Sequence, residues 1–153
     1  LDAPEGARTP IDEEDMSQTL AIIKPDATAR NLTGRILAHL EDAGFRIGAI
    51  RSLRLSEGQA RAFYAVHEGR PFYEELVEFM TSDLVVPVLL ERDDAVATLR
   101  QVIGATDPAE ADEGTVRALW AESKGRNSIH ASDSDENAAR EIRFFFSEAD
   151  EIG

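Results

Sequence analysis

Strand-like runs and helix-like stripes follow one another along this chain in an order that few architectures accept. Residues 19–23 form a short β-leaning apolar run that stops at Pro25. Leu32, Ile36, Leu37, Leu40 and Ala43 then recur at helical spacing, with Gly44 placed to end the helix. Phe45, Ile47, Ala49, Leu53 and Leu55 alternate with polar or small residues, which predicts one long half-buried strand. Ser56 and Gln59 have the spacing of a capping box for a helix over 57–66. Pro71 stands where the next helix begins, ahead of Phe72, Leu76, Phe79 and Met80. The apolar run 84–90 predicts a buried strand, and Asp93 and Asp94 open a helix through Val96, Leu99 and Ile103 that Gly104 closes. Residues 105–127 lose the pattern apart from a helical turn near 114–120, and 128–130 read as a short strand. Ser134 caps a last helix that buries Ala138, Ile142, Phe145 and Phe146. The series is βαββαβ with extra helices. It predicts the α+β class: a ferredoxin-like antiparallel sheet covered by helices, with one long loop of the kind that carries a site.

Such a sheet needs one core, and 153 residues with 42% apolar content supply one domain of that size. The chain has no cysteine, so disulfides and cysteine-held metals are excluded. The run 84–90 is far too short to span a bilayer, and no secretory signal is visible, so a cytoplasmic protein without a membrane partner is expected. Residues 1–15 hold two prolines and six acids with no regular period; they read as a disordered acidic extension ahead of a domain over 16–153, and Met16 would serve as a natural start. A net charge of −14 repels nucleic-acid backbones, so no nucleic-acid partner is expected. Only Lys24 and Lys124 are lysines, against 14 arginines. Acidic excess with scarce lysine fits adaptation to high salt, and base bias in the genome is an equal alternative.

Several standard sites are missing. The surroundings of Lys24 and Lys124 lack the glycine spacing of a Walker loop, and there is neither a dinucleotide-binding glycine fingerprint nor a serine nucleophile elbow. His39, His67 and His130 are too scattered to read as a metal motif; His39 falls on the polar side of its helix and His67 at a helix end, which makes both structural by expectation. His130 differs. It follows the long loop, precedes a helix start, and is crowded by Asn127, Ser132, Asp133 and Ser134. Helix-start amides attract anions, so a phosphate near this imidazole would be well placed; the alternative is a loop histidine that bonds the cap. Glu141 borders the inward face of the same helix, where a carboxylate is costly unless paired. Carboxylate on one ring nitrogen would leave the other as a nucleophile; an ordinary boundary glutamate is the alternative.

The segment 127–134, NSIHASDS, closely resembles the active-site signature of nucleoside diphosphate kinases. AIIKPDA at 21–27, EGRPFYEELVEFMTS at 68–82, GATDPAEADEGTVR at 104–117 and SDENAAREIRFFF at 134–146 resemble that family in order and spacing, so the likeness runs from about Ser17 to the C-terminus. It implies a ping-pong kinase in which His130 takes the γ-phosphate of a nucleoside triphosphate and hands it to a nucleoside diphosphate. Ser132 and Glu141 would hold the imidazole, and Tyr64 would sit near it. Lys24, Arg100, Thr106, Arg117 and Asn127 would contact phosphates or ribose, Arg70 the β-phosphate, and Phe72 would stack on the base. The resemblance also implies Mg²⁺ bridging the nucleotide phosphates with little protein ligation, and a homotetramer or homohexamer.

The chain departs from the usual pattern in places. Ala131 stands where Gly is usual, which matters only if φ there is positive. Asp107 replaces a common Asn, Asp83-Leu84 a common Gly-Pro, and Trp120 a Phe or Tyr that could alter subunit packing. Pro87 falls inside a strand and predicts a bulge or local irregularity there. The alternative function is a catalytically weak regulatory or nucleotide-sensing homologue, which would not need the His130–Glu141 pair.

Overall fold

The computed structural model describes residues 16–147. The acidic segment 1–15 therefore lies outside the described residues. Four strands form one fully antiparallel sheet: β1 Met16–Ile23, β2 Arg46–Ile50, β3 Val86–Asp93 and β4 Ile129–Ala131, in the order β2-β3-β1-β4. Among the described residues seven α-helices accompany it: α1 Pro25–Ala29, α2 Thr33–Asp42, α3 Glu57–Phe63, α4 Tyr73–Met80, α5 Ala95–Ile103, α6 Val116–Trp120 and α7 Asp135–Phe145. The expected ferredoxin-like α+β architecture is present.

Both faces of the sheet are covered. Successive strand residues point to opposite sides, so Ala21 and Ile23 join Ile36, Leu40, Leu99 and Ile103 from α2 and α5. Leu20 and Ile22 join Phe63, Val77, Met80 and Ile142 from α3, α4 and α7. This is why β1 and β3 read as continuous apolar runs instead of alternating ones. None of these helices is long and apolar enough to cross a membrane.

Three expectations need correction. The long strand over 45–55 breaks: β2 ends at Ile50, and Leu53 rejoins through an isolated bridge to Val85. The sheet's bulge falls at Gly48, left over between the pairs Ile47–Leu90 and Ala49–Leu89, and a Cβ there would sit 2.8 Å from Glu91 Oε1. Pro87 pairs regularly with Ile22 on one side; on the other its carbonyl accepts from Arg51 N at 3.1 Å but it has no N–H to return, and there the β2–β3 ladder is interrupted without a bulge. Asp94 does not cap α5 with its side chain; Ser17 Oγ accepts from Ala95 N at 2.8 Å. On α4 the buried face is Tyr73, Val77 and Met80, while Phe72 is 45% exposed.

The expected caps of α3 and α7 hold. Ser56 and Gln59 bond reciprocally at 3.0 and 2.9 Å, and Ser134 Oγ accepts from Asn137 N at 3.1 Å. Asp107 caps a 3₁₀ turn through Ala109 N, and Trp120 meets His39 edge-on at 5.6 Å.

Candidate active site

β4 aims the histidine. Ile129 and Ala131 point into the core on the α2–α5 side, so the strand's period of two turns His130 to the opposite face, toward α3 and α7. There Nε2 lies 2.7 Å from Glu141 Oε1, and Ser132 Oγ donates to the same oxygen at 2.8 Å. Glu141 is 6% exposed; its Oε1 is committed to these two partners, and its Oε2 lies 3.9 Å from Arg140 Nη2. Ser132 thus acts on the imidazole through Glu141 and not by touching the ring. A carboxylate on Nε2 holds the proton there and leaves Nδ1 with its lone pair. Phe63 and Tyr64 meet the ring edge-on at 5.7 and 6.4 Å. Ala131 is absent from the positive-φ residues, so its methyl is accommodated.

The cations arrive from three other elements. Lys24 sits at the end of β1, where its Nζ donates to Asn127 Oδ1 at 2.9 Å. Burial, then the neighbouring Arg117 charge, lower the ammonium's pKa to about 8, against a partial rescue by Asp26. Arg117 on α6 is gripped by backbone: Nη1 donates to the Gly104 carbonyl at 3.0 Å and Nη2 to that of Ile129 at 2.8 Å, while buried Nε has no partner. Burial and Arg100 bring its pKa down to about 10. Among the described residues no carboxylate pairs with Lys24, Arg100 or Arg117. Lys24 and Arg117 are desolvated, and Asp26 offsets only part of that cost for Lys24, so an arriving polyanion relieves the rest. Asn127 also donates from Nδ2 to the Thr106 carbonyl at 3.3 Å, fixing its amide between the loop and Lys24.

These groups line one cavity of about 1170 Å³, together with Tyr64, Phe72 and Thr106. Tyr64 is buried with an unpartnered hydroxyl, and burial with the Glu141 charge pushes its pKa upward, so it remains a phenol. Arg70 is not brought in: it is exposed and absent from the cavity wall. The wall includes residues that sequence reasoning missed, namely His67, Lys124, Arg126 and Arg140. His67 stacks on Tyr64 and meets Phe72 at 5.1 Å, so it belongs to the aromatic rim. Both of the chain's lysines line this cavity. Leu76 and Phe79 also face it from α4, with Arg126 over the Phe79 ring at 5.5 Å.

The chemistry available is nucleophilic attack by an oriented imidazole on a phosphate held by cations, beside an apolar mouth that suits a flat ring. Among the described residues no group of three or more His, Asp or Glu side chains is arranged to hold a metal ion.

The family model described as nucleoside diphosphate kinase matches residues 17–151. A nucleoside diphosphate kinase of Methylobacterium sp. (strain 4-46) is 60% identical over 138 residues, covering 90% of this chain and 99% of that protein. One from Chlorobium chlorochromatii is 58% identical over 132 residues, covering 86% and 94%. Among solved structures, the nucleoside diphosphate kinase of Aquifex aeolicus superposes with a TM-score of 0.86 at 44% identity, covering 88% of this chain and 98% of that one. A halophilic enzyme of the same name from Halobacterium salinarum, solved in complex with CDP, gives a TM-score of 0.83 at 37% identity and covers 88% and 90%.

Proposed function

The chain belongs to the nucleoside diphosphate kinase family, and we propose that His130 is the group that carries the phosphate between its nucleotides. The reaction is that of the family, a ping-pong transfer of the γ-phosphate from a nucleoside triphosphate to a nucleoside diphosphate. The observation that carries the assignment is the imidazole pinned at Nε2 by Glu141, beside Lys24 and Arg117, neither of which has a described carboxylate within ion-pair distance.

In the first half-reaction the Nδ1 lone pair attacks the γ-phosphorus. The N–P bond forms, the bond to the bridging oxygen breaks, and that oxygen leaves with its electron pair on the diphosphate. The ring becomes cationic, and Glu141 faces that charge through Nε2–H. In the second half a terminal β-phosphate oxygen of the incoming diphosphate attacks phosphorus, and the electron pair returns to Nδ1. No net proton moves, so the site needs position and charge more than acid–base work. Lys24 and Arg117 hold the transferring phosphate, Arg100 and Thr106 the neighbouring phosphates, and Asn127 fixes Lys24. Tyr64 offers its phenol near the imidazole. Phe72 stacks on the base, and a stacking surface without base-edge readout tolerates different nucleobases. Mg²⁺, on which the family depends, is bound through the nucleotide phosphates and neutralises part of their charge; the lack of a carboxylate cluster among the described residues fits that arrangement.

The family is oligomeric, and we read this chain as a homotetramer or homohexamer in the cytoplasm. The unpaired edge of β2, with Ile50 46% exposed and Leu84 42% exposed, supports contact between copies. Labelling tests the assignment. Wild type incubated with Mg²⁺ and γ-labelled ATP, stripped of nucleotide and chased with GDP should carry acid-labile label that moves to GTP, and His130→Ala should carry none. Label on the His130→Ala variant, or none on wild type, overturns it.

A further inference from the structure

Asp26 is buried where a carboxylate has little reason to be. It follows Pro25 in the first turn of α1, it is 1% exposed, and its Oδ1 has no partner. Its Oδ2 accepts from Ser128 Oγ at 3.3 Å and lies 3.6 Å from Arg30 Nη2. A carboxylate so desolvated and incompletely bonded would ordinarily be replaced by a neutral side chain of the same shape at no loss of stability.

The partners of Asp26 show what it is connected to. Ser128 is fully buried and holds φ at +74°, a conformation that costs an L-residue about 1 kcal/mol or more. It stands between Asn127 and Ile129, one residue further from His130, and its carbonyl accepts from Lys24 N at 2.9 Å. Arg30 donates to the Trp120 carbonyl at 2.6 Å and lies 3.6 Å from Glu122. The segment from Trp120 to Ser128, which delivers Asn127 to Lys24, is therefore gripped at both ends by groups that converge on one buried carboxylate.

We propose that Asp26 is a positioning residue for phosphate binding: it ties the β1–α1 turn to the segment ahead of β4 and supplies the counter-charge that keeps the Lys24 ammonium ready for the phosphate. The charges around Lys24 make this consequential. Arg117 from α6, with Arg100 of α5 behind it, opposes the ammonium; His130 of β4 has its own carboxylate in Glu141 of α7; Arg30, the C-cap of α1, is shared among Asp26, Glu122 and the Trp120 carbonyl. Asp26 is the acid that favours the charged form of Lys24, whose pKa burial has already brought down to about 8. The inference rests on the reading that Lys24 binds phosphate.

The test is the pH dependence of kcat/KM in Asp26→Asn, expressed as a ratio to wild type so that substrate ionisation cancels, with thermal melts to verify folding. Asp26→Ser removes the same charge from a smaller side chain and guards against a misfit of the amide. Lys24 loses its charge as pH rises, and removal of Asp26 lowers the pH at which this happens. The alkaline limb should move down by about 1 unit, the usual effect of one close opposite charge. Adding Lys24→Arg to Asp26→Asn should abolish the moved limb, because a guanidinium stays charged. A uniform loss at every pH, with the limb unmoved in both Asp26 variants, overturns the proposal and leaves Asp26 a structural residue. Lys24→Met in the same assay separates the two layers. If it loses activity while the limb of Asp26→Asn stays fixed, only this inference falls; if Lys24→Met is fully active, the reading of Lys24 falls and takes this one with it.

Discussion

Replacing Glu141 by glutamine removes one charge from beneath His130 and little else. The amide has the carboxylate's shape, and its oxygen can still accept from Ser132 Oγ and His130 Nε2, which now approach Oε1 at 2.8 and 2.7 Å. What disappears is the attraction between a buried carboxylate and a ring that turns cationic as the N–P bond forms. The exchange of a charge-assisted bond for a neutral one sets a floor of about 1 kcal/mol. Two unit charges about 4 Å apart at an effective dielectric of about 20 set a ceiling near 4 kcal/mol. A loss of about 2–3 kcal/mol in the transition state is expected, or about 30- to 150-fold in the rate of His130 phosphorylation. Folding should not suffer, because the amide is cheaper to bury at a site 6% exposed. Rapid-quench measurement of label on His130 in a single turnover, beside a thermal melt, reads both quantities. Ser132→Ala removes a donor but no charge, and should lower the rate only about 5-fold. A Glu141→Gln rate within about 5-fold of wild type, or a slow enzyme whose melting temperature has also dropped by several degrees, would refute the reasoning.

Two other substitutions probe the backbone around the site. Ala131→Gly restores the family's usual residue at a position where φ is not positive; kcat should stay within about 2-fold, and denaturant melts should show a loss of about 0.5–1 kcal/mol, so a clear gain in kcat would contradict the structure. Gly104 sits at φ +89°, and a Cβ there would lie 2.5 Å from Thr115 Oγ1, the cap of α6, while its carbonyl holds Arg117. Gly104→Ala should therefore cost about 2 kcal/mol or more by thermal denaturation and raise the KM for nucleotide, and an unchanged KM would show that Arg117 does not depend on this turn.

Helical periodicity alone placed α2, α5 and α7 and named Ile36, Leu40, Leu99 and Ile142 as buried, because each helix presents one stripe to one side of the sheet. On α4 the apolar residues divide, with Tyr73, Val77 and Met80 entering the core and Phe72, Leu76 and Phe79 facing the cavity, a division that periodicity does not make. A hydrophobic pattern records apolar neighbours without saying whether they are core or a binding surface. The β2 bulge and the exchange of an α5 cap from Asp94 to Ser17 were illegible for another reason, since both depend on a strand distant in sequence. His130, Glu141 and Lys24 were legible through spacing and resemblance together. The cavity lining of His67 and Lys124, and the exclusion of Arg70, required the path of the loops.

β4 has three residues and joins the sheet only through β1. The bonds that assemble the site accordingly span most of the chain: Lys24 to Asn127 bridges 103 positions, Ser128 to Asp26 bridges 102, and Ser132 to Leu20 bridges 112. Closing loops of that size demands entropy that local contacts must first offset. The two halves of the site can meet only when β1 already lies in a sheet able to receive its last neighbour. Catalytic competence therefore belongs to the end of folding, and a chain that has collapsed, with helices formed and β1 paired to β3, still has no enzyme in it until those three residues dock.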